Sequence, residues 1–407
     1  MMAIRIYASA LLCLLSVAAG GPCGASAQTL ALVGGTVYPS PDAPPLADAV
    51  VIASDGVIVS VGRRGEVAVP ADAETIDCAG KFVVAGFWNS HVHFTQAVWK
   101  QSATAPAATL TAALRDMLTK WGFTTVWDLG SDPDDGLPLR RRIESGEVAG
   151  PRIYFAGSIF PAGGRPVYLP PEMRLPEAAS ADQAADLART YARLGLDGLK
   201  LFTGSFKGSR PVVNMDPAIA RPAVEITHAD GKPAFAHPQN QAGVDAVIAA
   251  GVDVMAHTVP GGPNYSPEQL ARFTAQNIAL IPTLSLITIF VLDPALTERL
   301  VSSGVTQLKT FSDNGGPVLF GTDVGFTRIY DTTQEYELMA RALSASQILA
   351  SLTTTPAAFF KQPTKGQVQP RFDADLVVLD GDPIADVRNL AKVAVTIRAG
   401  KAIYRKS

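Results

Sequence analysis

From Thr29 to about Phe82 apolar and polar residues alternate in short β-branched runs, "TLALVGGTVY", "AVVIASDGVIVSVG" and "ETIDCAGKFVV", broken by "GG" and "SDG". Period-two alternation punctuated by such dipeptides predicts strands joined by tight turns. The far end repeats the pattern in "DADLVVLDGDP" and "KVAVTIRAGKAIY". The two ends together predict one small β-sandwich, residues 28–84 and 365–407, with a larger domain, 85–364, inserted between them.

The inserted region changes rhythm. Eight apolar runs read as strands: "VVAGFWNSHVHF", "TTVWDLG", "RIYFAG", "GLKLFTG", "PAFAHP", "VMAHTV", "LIPTLS" and "VLFGTD". Between them lie helical patterns such as "SADQAADLARTYARLG" and "SPEQLARFTAQN", several opening at Ser or Asn and closing near Gly. Those are capping residues. Eight strand–helix units predict an α/β fold, a (β/α)8 TIM-like barrel, in which reactive groups sit at the C-terminal strand ends.

Polar side chains interrupt those ends. The chain has five histidines, and four stand there: His91, His93, His237 and His257. Lys200 lies within "GLKLF" and Asp323 closes "FGTD". A strand points residues i and i+2 to one side, so His91 and His93 share a face. A single histidine at a strand end is an ordinary hydrogen-bonded core residue; six metal-capable groups on five strands form a ligand set. Lys200, set among Leu199, Leu201 and Phe202, is desolvated if it points inward, and a buried ammonium tends to lose its proton. The neutral amine can then be carboxylated by carbon dioxide; the alternative is an ion pair with Asp128 or Asp323. His228, in the last turn of a helix, reads as structural because a cation there suits the helix dipole.

Imidazole and carboxylate suit zinc and related divalent ions. His91, His93, Lys200 and Asp323 are suited to one ion, and Lys200, His237 and His257 to a second. Coordination lowers the pKa of water to roughly 7, so the predicted chemistry is attack of a metal-activated hydroxide on a substrate carbonyl. Asp323 is the candidate general acid–base. Substrate contacts are expected from the βα loops: Arg165 and Tyr168 in "PAGGRPVYLPP", Tyr265 in "PGGPNYSP", Arg328 and Tyr330 in "GFTRIYDTT". An Arg beside a Tyr suits a carboxylate.

"NSHVHF", "DGLKLFTGS", "FAHP", "MAHT", "FGTDVG" and the closing "DADLVVLDGDPIADVRNL" resemble the amidohydrolase superfamily, in the branch of imidazolonepropionase-like enzymes and metal-dependent dipeptidases. The resemblance implies two divalent ions, with zinc the expected metal, bridged by carboxylated Lys200. It implies hydrolysis of amide-type C–N bonds, with dipeptides and N-acyl amino acids as candidate small-molecule substrates. A lactone or ester hydrolase on the same centre and a non-catalytic periplasmic binding protein are the competing readings.

Composition adds context. The 407 residues are 47% apolar, and 34 basic against 37 acidic residues leave a net charge of −3, with no basic run suited to nucleic acid. Residues 1–27 carry a lone Arg5, an apolar "ALLCLLSVAA" and then "ASA", the plan of a secretory signal. The expectation is a secreted or periplasmic protein with no membrane span after cleavage. Only Cys78 would remain, so no internal disulfide is expected. Self-association is left open.

Overall fold

In a computed structural model the described residues are 29–167, 169, 175–206, 211–291 and 293–407. The predicted signal, 1–27, and the candidate Tyr168 lie outside them. Among the described residues no helix is long and apolar enough to cross a membrane.

Two sheets organise the chain. The barrel strands are β1 (Phe87–Val92), β2 (Phe123–Asp128), β3 (Arg152–Pro161), β4 (Gly198–Phe206), β5 (Ala234–Pro238), β6 (Val254–Ala256) and β7 (Ala279–Ile281). They pair in parallel, each with its neighbour in sequence. Every residue of β1, β2, β6 and β7 is buried. Parallel strands covered on both faces read as near-continuous apolar runs for this reason. The eighth place is taken by residues 317–324. They are not a regular strand, as the "VLFGTD" pattern predicts, but join both flanks through bridges from Leu280 to Val318 and from Val92 to Val324. The Ser90 amide donates to the Phe320 carbonyl at 2.7 Å and the Leu319 amide to the Leu280 carbonyl at 2.9 Å. The left-handed backbone of Asp323, φ 56°, ends any extended run there.

The connecting helices start where the sequence provides caps. Ser180 accepts from the Gln183 amide, Asn240 from the Gly243 amide, and Ser266 with Gln269 forms a reciprocal box. At the N-terminal end of the barrel, Phe360 packs on Trp127 and Trp88, with ring centroids 5.0 and 5.8 Å apart. That aromatic plug leaves the opposite mouth for polar groups.

The second sheet joins the two ends of the described chain. The strand Thr29–Val37 pairs with Leu46–Ser54 along its length. On its other edge it pairs first with Glu74–Asp77 and then with Phe82–Ala85. The sheet therefore divides into two leaves around a core that includes Leu32, Val51, Ile58, Leu376 and Ile397. Phe82–Ala85 also pairs antiparallel with Leu376–Leu379, which brings the C-terminal strands into the same sheet. The run "VVAGFWNSHVHF" is thus two strands in two sheets, parted at Gly86, where a Cβ would overlap Thr124.

Candidate metal centre

His91, His93, Lys200, His237, His257 and Asp323 all line one small cavity at the C-terminal mouth of the barrel. The imidazoles form a chain: ring centroids are 5.1 Å apart for His93 and His91, 4.8 Å for His91 and His257, and 4.6 Å for His257 and His237. The Nε2 atoms of His91 and His93 lie 3.2 Å apart. Asp323 stands against them, its Oδ1 2.9 Å from His93 Nε2 and 3.4 Å from His91 Nε2, and its Oδ2 3.8 Å from His257 Nε2. His91, His257 and Asp323 can offer ligand atoms within 4.8 Å of one another.

Backbone geometry sets these positions. His257 and Asp323 have φ of 79° and 56°, a region that costs non-glycine residues on the order of 1–3 kcal/mol and clusters at functional sites. The His257 amide donates to the Ile281 carbonyl at 2.8 Å and the Asp323 amide to the His91 carbonyl at 2.9 Å. Gly325, at φ 99°, packs so closely on His93 that a Cβ would overlap its carbonyl. Asn89 ties β1 to the eighth segment, its amide nitrogen donating to Thr322 Oγ1 at 2.8 Å.

Burial decides the charge states. It pushes the His91 and His257 imidazoles well below their ordinary pKa, and His237 down to about 4. It also lowers the Lys200 amine to about 7, against the pull of Asp323. Burial favours the neutral form of Asp323, but the imidazoles around it outweigh that and hold it ionised. Neutral imidazole and ionised carboxylate are the forms that bind metal.

The outer nitrogens follow the same logic. His257 Nδ1 meets Thr283 Oγ1, and His237 Nε2 donates to Gln239 Oε1 at 2.8 Å. His91 Nδ1 has no hydrogen-bond partner among the described residues. Lys200, 1% exposed, makes no hydrogen bond or ion pair among them; its Nζ lies 5.3 Å from the centre of the Phe202 ring. Asp323 faces imidazoles alone, with no Arg or Lys ion pair among the described residues, and two of the imidazole nitrogens stand face to face. An isolated buried ion costs several kcal/mol. The donor set of His91, His257 and Asp323 therefore fits a divalent cation.

Asp128 does not pair with Lys200. Its Oδ1 accepts from the Gly130 and Ser131 amides and from Ser131 Oγ, and lies 3.9 Å from His93 Nδ1. Burial raises its pKa to about 6, and Oδ2 has no partner among the described residues. It stands behind His93, on the side of the ring away from Asp323. The end of "TTVWDLG" is a strand-end polar break like the others and could have flagged it.

The loop residues are scattered. Arg165 is exposed, its amide donating to Glu177 Oε1, and Arg328 is exposed outside the cavity wall. Tyr330 is half-buried and donates to Gln96 Oε1 at 2.8 Å. Tyr265 is 4% exposed and packs edge-on against Phe273 at 5.2 Å, so the helices over it make it a core residue and not a substrate contact. From the same loop as Arg328, Phe326 lines the cavity instead. His228 accepts its structural place, bonded to Asp253 Oδ2 at 2.8 Å.

Comparisons with known proteins agree with this architecture. Ochratoxinase from Aspergillus niger is 23% identical over 415 residues, 89% of this chain and 83% of that one. Its crystal structure superposes with a TM-score of 0.77, covering 93% of this chain and 96% of its own. A putative prolidase from Bifidobacterium longum, 25% identical, also superposes at 0.77, covering 93% of this chain and 95% of its own. A Xaa-Pro dipeptidase with methionine bound in its active site is 22% identical and superposes at 0.76, over 93% of this chain and all of its own. The family model described as the amidohydrolase family matches residues 82–403. The chain belongs to the amidohydrolase family and is a hydrolytic enzyme of carbon–nitrogen bonds.

Proposed function

We propose that the enzyme hydrolyses an amide bond of a small molecule at a centre of two divalent ions held by His91, His93, Lys200, His237, His257 and Asp323. The observation that carries this reading is the convergence of three imidazole Nε2 atoms on one ionised, buried carboxylate. Zinc suits the donors, and would supply Lewis acidity together with a water of lowered pKa. Carboxylated Lys200 would be a further anionic ligand. Its neutral amine would form an N–C bond to carbon dioxide and release a proton, leaving an anionic two-oxygen group.

The chain's own residues do the rest. Asp323 accepts the proton of the attacking water on one carboxylate oxygen and returns it to the leaving nitrogen, as one group must in amide hydrolysis. His237 and His257 stand on the wall that faces the larger neighbouring cavity and so flank the scissile carbonyl. Phe160 and Phe202, stacked with centroids 3.8 Å apart, shield the other side from water.

Dipeptides and N-acyl amino acids form the first substrate panel, each paired with its ester analogue. Amide turnover that a chelator abolishes and metal restores is the expected result. Asp323→Asn should lower kcat by about 10²–10⁴-fold. Ester turnover alone, or full activity in Asp323→Asn, would contradict the reading.

A further inference from the structure

A cavity of about 550 Å³ opens beside the cluster and shares His237, His257, Asp323 and Phe326 with it. That volume lies in the range of sites for drug-sized ligands. Apart from the shared groups its wall is largely apolar, including Phe206, Leu286, Ile287, Phe290 and Leu300. Three of these belong to one short helix, Ser285–Phe290.

Two features mark the rim of this wall as a contact surface. Phe290 is 59% and Phe326 38% exposed, and their rings lie with centroids 5.7 Å apart at the rim. Adjoining apolar side chains exposed at a cavity rim commonly mark a binding surface. The helix is also pinned from beneath. Glu335, 1% exposed, accepts from the Leu284 amide at 2.9 Å and the Ser285 amide at 2.7 Å. A buried carboxylate bonded to two consecutive amides fixes where Leu286 and Phe290 stand relative to the imidazoles.

We propose that this cavity receives a bulky aromatic group attached to one side of the scissile amide. Leu286, Phe290 and Phe326 set specificity for that group, and Glu335 is a positioning residue that acts through the helix. The proposal rests on the metallohydrolase reading for the word scissile; the cavity's preference is measurable by binding alone. Flat groups suit it because rim rings offer faces and edges to another ring.

The test titrates 2-naphthamide and acetamide calorimetrically into metal-loaded protein, and compares kcat/KM for N-(2-naphthoyl)glycine, glycine 2-naphthylamide and N-acetylglycine. The naphthyl amide should bind at least tenfold tighter than acetamide, and one naphthyl substrate should exceed N-acetylglycine at least tenfold. Leu286→Trp, which fills the cavity, should erase most of that preference. Phe290→Ser changes an exposed residue and should fold normally, reducing naphthamide affinity about threefold. Glu335→Gln should raise KM for the favoured naphthyl substrate severalfold more than for N-acetylglycine. Equal binding of the two amides, or a preference unmoved by Leu286→Trp and Phe290→Ser, overturns the proposal. Variant-sensitive naphthamide binding with no amide turnover would sustain the cavity and sink the hydrolase reading instead.

Discussion

Lys200 shows how much one residue reveals about chemistry. It sits on β4 between apolar neighbours, 1% exposed, with burial lowering its amine to about 7. On the proposed reading it is a metal ligand, so Lys200→Met should leave about one ion per chain in place of two and cost at least roughly 10²-fold in activity. Elemental analysis of the purified variant checks the first claim, and two ions retained would remove Lys200 from the centre. Gly325 is the complementary case, a residue whose lack of a side chain matters. Gly325→Ala places a Cβ against the His93 carbonyl at φ 99°. The substitution should cost about 1–3 kcal/mol in a denaturant titration and weaken metal retention as His93 shifts. That these six side chains meet at one cavity was legible because strand ends make polar breaks in apolar runs. Tyr265 was misread because a polar loop sequence does not reveal the helix Pro267–Gln276 that carries Phe273 over it. The cavity wall from Leu286 to Phe290 was invisible for the opposite reason: an apolar binding surface has the same pattern as a core.

At the scale of elements, the junction between the two sheets turns on Asp375, which precedes the strand Leu376–Leu379. Its Oδ2 meets Arg152 Nη1 and Lys365 Nζ, each at 3.0 Å, and its Oδ1 accepts from the Ala399 amide at 2.8 Å. Burial alone would raise its pKa, but Lys365 and Arg152 outweigh it and hold the carboxyl below its ordinary value. A lowered acid contributes stability that is complete above its unfolded pKa, about 3.9, and is lost as pH falls through the native value. Urea midpoints should therefore drop below about pH 4, and Asp375→Asn should flatten that dependence. At neutral pH the same variant should lose about 1–3 kcal/mol, because Arg152 loses its carboxylate partner while Lys365 keeps Asp373. An unchanged midpoint would show that the Asp375 ion pairs do not hold the two sheets together. Element order was readable from period and capping residues. The split of "VVAGFWNSHVHF" at Gly86 was not, since an apolar run carries no mark of which sheet its halves enter. The eighth barrel element was read as a strand because alternation cannot foresee the left-handed turn at Asp323.

On the scale of the whole molecule, the two ends of the described chain build one sheet and the middle builds the barrel, so the site is assembled from residues 91 to 323 on five barrel segments. The aromatic plug around Phe360 closes one end of the barrel and the ligand cluster occupies the other. Metal bound at that cluster links segments far apart in sequence and should stabilise the fold by mass action, about 4 kcal/mol at a free concentration a thousand times Kd. Ion content and turnover, followed together as metal is returned to chelated protein, test the central claim most directly. The account predicts that activity rises in step with occupancy and saturates at two ions per chain, with anomalous scattering placing both among His91, His93, Lys200, His237, His257 and Asp323. Full activity in metal-free protein, or ions bound away from these six side chains, would contradict it.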